Sequence, residues 1–485
     1  MEKGQRRLTM HRRIGKDEER SYLEVPFHLE GRVERIDVSY RYEQSGAEAV
    51  VDIGLCSPDG IVGWSGGARA SFFVGTELAT PGYLARPIIE GEWAVLLGAY
   101  KIPADGTMVT VDVVLTEPHE RWMKGDLHMH SVHSDGRYTI ESAKASCAAR
   151  GLDFMALTDH NTLSQNQSAL VPDERLLLLP GVELTSYFGH ANVYGAPEAL
   201  RDFRVTTPEG AKAELGDIRA KGGFVSLNHP FCPSCPWELG FDLPYDAIEV
   251  WNGPWRALNE HAVAWWQEQL AAGRRLIALG GSDTHAEDRF VKHGRPTAAV
   301  RTDTGTAQGV LDSIRRGRVV LSFDPDETFL NLTSGAYGVG DQMPRAEIDG
   351  TGAIPLVIDV EGARGDHVTL WSDRGIEAAW HIAASAEVPA KAWEADVSDG
   401  GWVVQREIAA LRELGAPAMT AAAAMGTSAV HVPAAEAPDG RVRLRFEGKA
   451  DRLFYRLEAR RDGASTAQSV MTCLTNPLYI EREVE

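Results

Sequence analysis

The stretch Asp126-Leu127-His128-Met129-His130, followed by Ser134-Asp135-Gly136, sets two imidazoles two residues apart with a carboxylate five residues on. If Lys124 to His130 is a strand, side-chain alternation puts His128 and His130 on one side, where both can bind one ion. Asp135 then returns from the loop toward a neighbouring ion. An H-x-H pair alone is commonly an incidental surface pair. Four further stretches outweigh that alternative: Thr158-Asp159-His160-Asn161, Gly181-Val182-Glu183 with Gly189-His190-Ala191-Asn192, Leu227-Asn228-His229-Pro230, and Gly281-Ser282-Asp283-Thr284-His285. The candidate metal ligands are therefore His128, His130, Asp135, His160, Glu183, His190, His229, Asp283 and His285.

Each has a bland alternative. His190 could be a satisfied core histidine, Glu183 could pair with an arginine, Asp159 could cap a helix, and Asp283-Thr284-His285 could be only a turn. Concentration decides against these. Six of the 15 histidines stand beside carboxylates at successive strand ends, and burying so many ionisable groups without cations carries a large desolvation cost. Imidazole and carboxylate donors suit Zn²⁺, Mn²⁺ or Fe²⁺. The lack of sulfur in this set argues against a purely structural cysteine–zinc site.

These residues need elements to position them. Between residues 122 and 322, short apolar runs (Phe154 to Leu157, Leu176 to Leu179, Phe224 to Leu227, Ala247 to Val250, Leu276 to Leu279) alternate with helical patterns. The helices are expected over Thr139 to Arg150, Thr207 to Lys221, Trp255 to Ala272 and Gln308 to Arg316. Such alternation predicts parallel α/β architecture, with functional groups delivered at the strands' C-terminal ends. Residues 21–118 read as short strands between turn signals, a β-sandwich or jelly roll whose core would hold Trp64 and Trp93. Residues 323–485 are expected to form a mostly β domain, with a helix over Val403 to Leu414 and an alanine-rich stretch from Ala416 to Gly426. Residues 1–20, with Arg6, Arg7, Arg12 and Arg13, read as a solvated, poorly ordered tail.

A chain of 485 residues is too long for one hydrophobic core. Its net charge of −20 argues against gripping a long nucleic-acid backbone, although a local basic cleft is compatible with it. The five cysteines are scattered and odd in number, so no disulfide framework is expected. Cys232-Pro233-Ser234-Cys235 reads best as a surface loop near the site, with a modifying role left open by its closeness to His229. The first residues lack an apolar signal region, and no run of about 18 apolar residues occurs. A cytoplasmic protein with no membrane span is expected by default, and a homo-oligomer is compatible with the sequence.

The series H-x-H…SDG, TDHN, GVE…H, NHP and GSDTH resembles that of the PHP (polymerase and histidinol phosphatase) superfamily over roughly residues 122–320. All nine ligand positions of that pattern match. Gly63-Trp64-Ser65-Gly66-Gly67, Ala79-Thr80-Pro81-Gly82-Tyr83 and Thr475-Asn476-Pro477-Leu478-Tyr479 resemble the CehA/McbA-type metallohydrolases within it. The resemblance implies a distorted (β/α)₇ barrel between β-sandwich-like flanking domains and three divalent metals, Zn, Mn or Fe. His128, His130, Glu183 and Asp283 would hold the first. Glu183 would bridge to a second held by His190 and His229. Asp135, His160 and His285 would hold the third, and Asp126, Asp159 and Asn228 would orient the imidazoles.

The chemistry this implies is hydrolysis by a metal-bridging hydroxide, with His128, His130, Glu183, Asp283 and His285 as catalytic residues. The expected substrate is a small phosphate mono- or diester, a nucleotide included. A carbamate, ester or amide is the second expectation, and a non-catalytic metal- or ligand-binding protein the third. Trp251, Asn252, Arg256, Lys292, His293 and Arg295 are candidate substrate contacts, with Asn252, Arg256 and Arg295 ranked first.

Overall fold

Alternation of apolar and polar side chains builds the first eight strands: β1 (Gln5–Ile14), β2 (Tyr22–Leu29), β3 (Arg35–Tyr42), β4 (Val50–Ser57), β5 (Gly60–Gly66), β6 (Ser71–Gly75), β7 (Gly91–Lys101) and β8 (Thr107–Thr116). They form two antiparallel sheets, in the orders β1-β8-β3-β6 and β2-β7-β4-β5. Val109, Val111, Val113 and Leu115 of β8 share one apolar core with Ile53, Leu55, Val95 and Leu97 of the other sheet. The computed structural model describes residues 4–43, 49–168, 176–348, 352–363, 365–382, 430–432, 441–462 and 469–481.

The N-terminal residues depart from the expected tail. Gln5 to Ile14 pair with β8 along their whole length. Leu8 and Met10 pack on the core and Ile14 is buried in it. The intervening arginines and His11 hide this period-two pattern, and charged side chains are typical of the edge strand that β1 forms. Trp93 is a core residue as expected, but Trp64 is 36% exposed. Its ring lies on the outer sheet face over Gly54 and Gly98, where a Cβ would collide with it.

The chain divides into two compact units, one built mainly on the residues to Arg121 with Thr302–Gly309, the other mainly on the residues from Trp122 onward. In the second unit the strands are β9 (Arg121–Asp126), β10 (Phe154–Leu157), β11 (Leu177–Ser186), β12 (Gly189–Tyr194), β13 (Phe224–Asn228), β14 (Ala247–Asn252), β15 (Ile277–Gly281), β16 (Thr297–Thr302) and β17 (Val319–Ser322). The helices are α1 (Ile140–Ala149), α2 (Ser164–Ser168), α3 (Pro208–Ala220), α4 (Ala257–Ala271) and α5 (Ala307–Arg315). Thr139 and Thr207 cap α1 and α3 by accepting from the backbone N–H groups of Ser142 and Gly210. The fold is mixed α/β, with many more strands than helices.

Strands β15-β14-β13-β12-β11-β10-β9-β16-β17 lie side by side in that order. Pairing is parallel for β9 with β10, β10 with β11, β13 with β14 and β14 with β15. It is antiparallel where β12 joins β11 and β13. The sheet does not stop at residue 322. β17 pairs with Ser469–Thr475, which pairs with Phe454–Asp462 and, through it, with Asp366–Ser372. The helix expected over Val403 to Leu414 and the alanine-rich stretch lie outside the described residues. Among the described residues no helix is long and apolar enough to cross a membrane.

Candidate metal centre

The strand expected over Lys124 to His130 ends four residues early, at Asp126. The Asp126 carboxylate accepts the backbone N–H groups of His128 (3.1 Å), Ser282 (3.0 Å) and Gly294 (2.6 Å). It therefore ties the chain leaving β9 to the chain leaving β15. Asp283 N–H donates to His128 C=O (2.8 Å) and His130 N–H to Thr284 C=O (2.9 Å). A Cβ on Gly281 would overlap His128, so only glycine allows this approach. The same kind of pairing joins the next two stretches. Asn161 N–H donates to Glu183 C=O (2.9 Å), and the Asn161 amide pairs with both backbone groups of Thr185. Strand register then sets Thr185 opposite His190 and His190 opposite Asn228.

All nine candidate ligands converge. Glu183 lies fully buried at their centre. Its Oε1 is 3.3 Å from His128 Nε2, 3.4 Å from His190 Nδ1 and 3.7 Å from His229 Nε2. Its Oε2 is 2.6 Å from His160 Nδ1 and 3.7 Å from His130 Nε2. Asp283 Oδ1 faces His128 Nε2 (3.3 Å), His130 Nε2 (3.1 Å) and His285 Nδ1 (3.6 Å). Asp135 Oδ1 faces His160 Nε2 (3.5 Å) and His285 Nε2 (3.4 Å). Among these nine residues, four overlapping sets have ligand atoms within 4.8 Å of one another: His128/His130/Asp283, His128/Glu183/His229, His160/Glu183/His190 and His130/Asp135/His160/His285.

These residues fit divalent cations. His128 Nε2, both ring nitrogens of His130 and His190 Nδ1 are buried without a well-directed hydrogen bond. Buried polar atoms of that kind are rare and costly unless a cation takes the lone pair. His229 and Asp283 also hold positive φ angles of 28° and 52°, and such backbone strain gathers at functional sites.

The supporting residues act differently from expectation. Asp126 holds backbone, not an imidazole. Asp159 accepts from Ser131 N–H (2.8 Å) and from the Ser131 and Ser134 hydroxyls, so it shapes the loop that carries Asp135. Asn228 donates to Glu183 Oε1 at 2.7 Å and so orients a carboxylate. The imidazole partner that sequence reasoning missed is Glu249. Its Oε1 meets His128 Nδ1 at 2.9 Å, while Oε2 accepts from His229 N–H (3.0 Å) and Asn252 Nδ2 (3.1 Å). The available signal was a lone carboxylate inside the apolar run Ala247 to Val250.

Of the expected substrate contacts, Asn252 is buried between Glu249 and Asp283, and Arg256 donates to its Oδ1 at 3.0 Å. Trp251 is fully buried, edge-on to Trp255. Lys292 closes a turn through its C=O, which accepts from Arg295 N–H. Arg295 is engaged with Asp324 and lies over the Phe323 ring. His293 is buried against Ser146 Oγ. Its burial, followed by the nearby Arg150 charge, lowers its pKa to about 4 and keeps it neutral.

Burial opposes charge on His128 and His229, but the Asp283, Glu249 and Glu183 carboxylates outweigh it. His128 is raised well above its ordinary value and His229 to about 9. Likewise burial works against the Glu183 charge, and the surrounding imidazoles overturn it and hold its pKa well below the usual carboxylate range. The sign for stability follows. His229 stabilises the metal-free fold fully below its unfolded value of roughly 6.5, and that contribution fades as pH rises through about 9. Chelator-treated protein should therefore melt at lower temperature at pH 9 than at pH 6.5. Metal uptake must displace the same protons, so it should tighten as pH rises and release protons in weakly buffered titrations. Metal affinity unchanged across that range would contradict the assignment.

No protein-family model matches the chain. It is 49% identical to the DNA polymerase/3'-5' exonuclease PolX of Bacillus subtilis over 39 residues, 8% of this chain and 7% of that protein. It is 38% identical to the phosphoribosyl 1,2-cyclic phosphate 1,2-diphosphodiesterase of Eggerthella lenta over 64 residues, 13% of this chain and 24% of that protein. The chain thus spans less than a quarter of the length of either curated relative. Among solved structures, a two-domain protein of Bacteroides vulgatus containing a predicted PHP-like metal-dependent phosphoesterase matches at 20% identity and a TM-score of 0.34. The match covers 52% of this chain and 79% of that one.

Proposed function

We propose that this chain is a metal-dependent phosphoesterase of the PHP superfamily acting on small phosphate mono- or diesters. The observation that carries the reading is Glu183, one buried carboxylate shared among five imidazoles within a nine-residue donor set. That is more donor capacity than a single ion uses. His128, His130, Glu183 and Asp283 would hold one cation, Glu183, His190 and His229 a second, and Asp135, His160 and His285 a third. The distorted (β/α)₇ barrel is the finer reading of the fold, supported by the backbone bonds that join the ends of β9 and β15.

Divalent cations bound there supply an activated water at neutral pH and offset charge on a phosphoryl group. The protein's own groups do the positioning. Glu249 fixes which His128 nitrogen faces the centre. Asn252 holds Arg256 beside Asp283, which makes Arg256 the proposed contact for a substrate phosphoryl oxygen. Assaying metal-loaded protein with bis-p-nitrophenyl phosphate, p-nitrophenyl phosphate and an aryl carbamate tests the reading. Turnover of at least one phosphate ester is expected, abolished by chelation and restored by divalent metal. Clear carbamate turnover with none of either phosphate would replace it with the carbamate, ester or amide hydrolase. No turnover and no bound metal would leave the non-catalytic alternative.

A further inference from the structure

The CxxC motif is a chemically capable feature that this donor set leaves unused. Its turn begins directly after His229, and Cys232 N–H donates to His229 C=O at 2.8 Å. The loop is fastened to the strand that carries His190. The Trp237 ring packs so closely on Gly189 that a Cβ there would collide with it, and Trp237 N–H bonds back to Pro230 C=O at 2.9 Å. These two anchors bring Cys235 Sγ to 3.6 Å from His229 Nδ1. His190, His229 and Cys235 then each offer a ligand atom, all within 4.8 Å of one another. Both cysteines of the motif are free thiols, and His190 Nδ1 is buried without a well-directed hydrogen bond.

We propose that Cys235 is a thiolate ligand of the cation held by His190 and His229, so that one position of the centre contains sulfur. The proposal rests on the metal-centre reading above. A sulfur at roughly 2.3 Å and a nitrogen at roughly 2.0–2.1 Å from a tetrahedral zinc ion lie about 3.6 Å apart. The Cys235–His229 separation has that value. A hydrogen bond between those two side chains would also give it, but would not bring His190 into the same cluster. Glu183 Oε1 lies beside this set, 3.4 Å from His190 Nδ1. On binding, the thiol proton leaves to solvent and no electrons are transferred. The consequence is selectivity: a thiolate donor favours Zn²⁺ over Mn²⁺ at this position, while the Asp135/His160/His285 position keeps only nitrogen and oxygen.

Cobalt(II) is the probe. Reduced, metal-free protein is loaded with Co²⁺, bound cobalt is counted, and the near-ultraviolet sulfur-to-cobalt charge-transfer band is recorded for wild type, Cys232→Ser and Cys235→Ser. Cys232, whose side chain hydrogen-bonds Cys235, is the control on the same turn. The band is expected in wild type and Cys232→Ser and absent from Cys235→Ser, which should also hold one cobalt ion at least ~10-fold more weakly. Cobalt bound without the band, or a band that survives Cys235→Ser, overturns the proposal and leaves the metal centre standing. Failure to bind cobalt at all defeats the metal centre and the proposal with it. X-ray absorption on zinc-loaded wild type needs no variant: a sulfur neighbour at about 2.3 Å is expected, and a shell of nitrogen and oxygen alone overturns the proposal.

Discussion

Glu183→Gln is expected to lower turnover by at least about 10²–10³-fold and to reduce the number of metal ions the protein retains. The carboxylate stands 2.6–3.7 Å from five imidazoles, and it belongs to both the His128/His229 set and the His160/His190 set. The amide keeps its shape but removes the negative charge and turns one acceptor into a donor. That donor would point at nitrogens whose lone pairs the cations need. Fold is expected to survive, because the amide occupies the same volume and the apolar strand interiors, such as Phe154 to Leu157, remain untouched. Metal analysis, turnover and circular dichroism on the same sample check this. Near-normal turnover with normal metal content would show that Glu183 is not a shared ligand.

Glu249→Gln should weaken metal binding by about 10–100-fold. Glu249 Oε2 faces two donors, His229 N–H and Asn252 Nδ2. A glutamine therefore turns its oxygen toward them and its NH₂ toward His128 Nδ1. His128 must then accept at Nδ1, which moves its proton to Nε2, the nitrogen that faces Glu183 and Asp283. The wrong tautomer blocks the ligand without removing it. The loss should be confined to the cation bound by His128. The Asp135/His160/His285 set should bind as before, since none of its contacts involves Glu249. Competition with a chelator of known affinity resolves the two classes. An equal loss at every site would point to general destabilisation, and no loss would reduce Glu249 to a packing residue.

His128 and His130 do share a partner, Asp283 Oδ1, at 3.3 and 3.1 Å. They do so beyond the end of β9, held by pairing with the chain after β15 and not by strand alternation. Arg295 and His293 looked available as isolated residues, yet Asp324 and Ser146 engage them. In the β1 strand four arginines interrupt a weak apolar pattern, so its sequence reads as a charged tail. Its partner β8 lies about a hundred residues away, outside the reach of any local window.

By itself the sequence determined the donors. Imidazoles and carboxylates concentrated at the ends of apolar runs are expensive to bury without cations, and residue type with short spacing suffices to show it. It also determined the alternation of strand and helix, since hydrophobic periodicity is local. Only the tertiary structure decided which donors meet, that Glu183 is shared, that Glu249 sets the His128 tautomer and that Cys235 reaches His190 and His229. Those contacts join stretches far apart in the chain, His128 and Glu249 being separated by 121 residues. They depend on strand register, on the Asp126 carboxylate gathering three backbone N–H groups, and on glycine at 281 allowing two chain segments to touch. Register is fixed by how whole faces pack, and no single stretch of sequence encodes it.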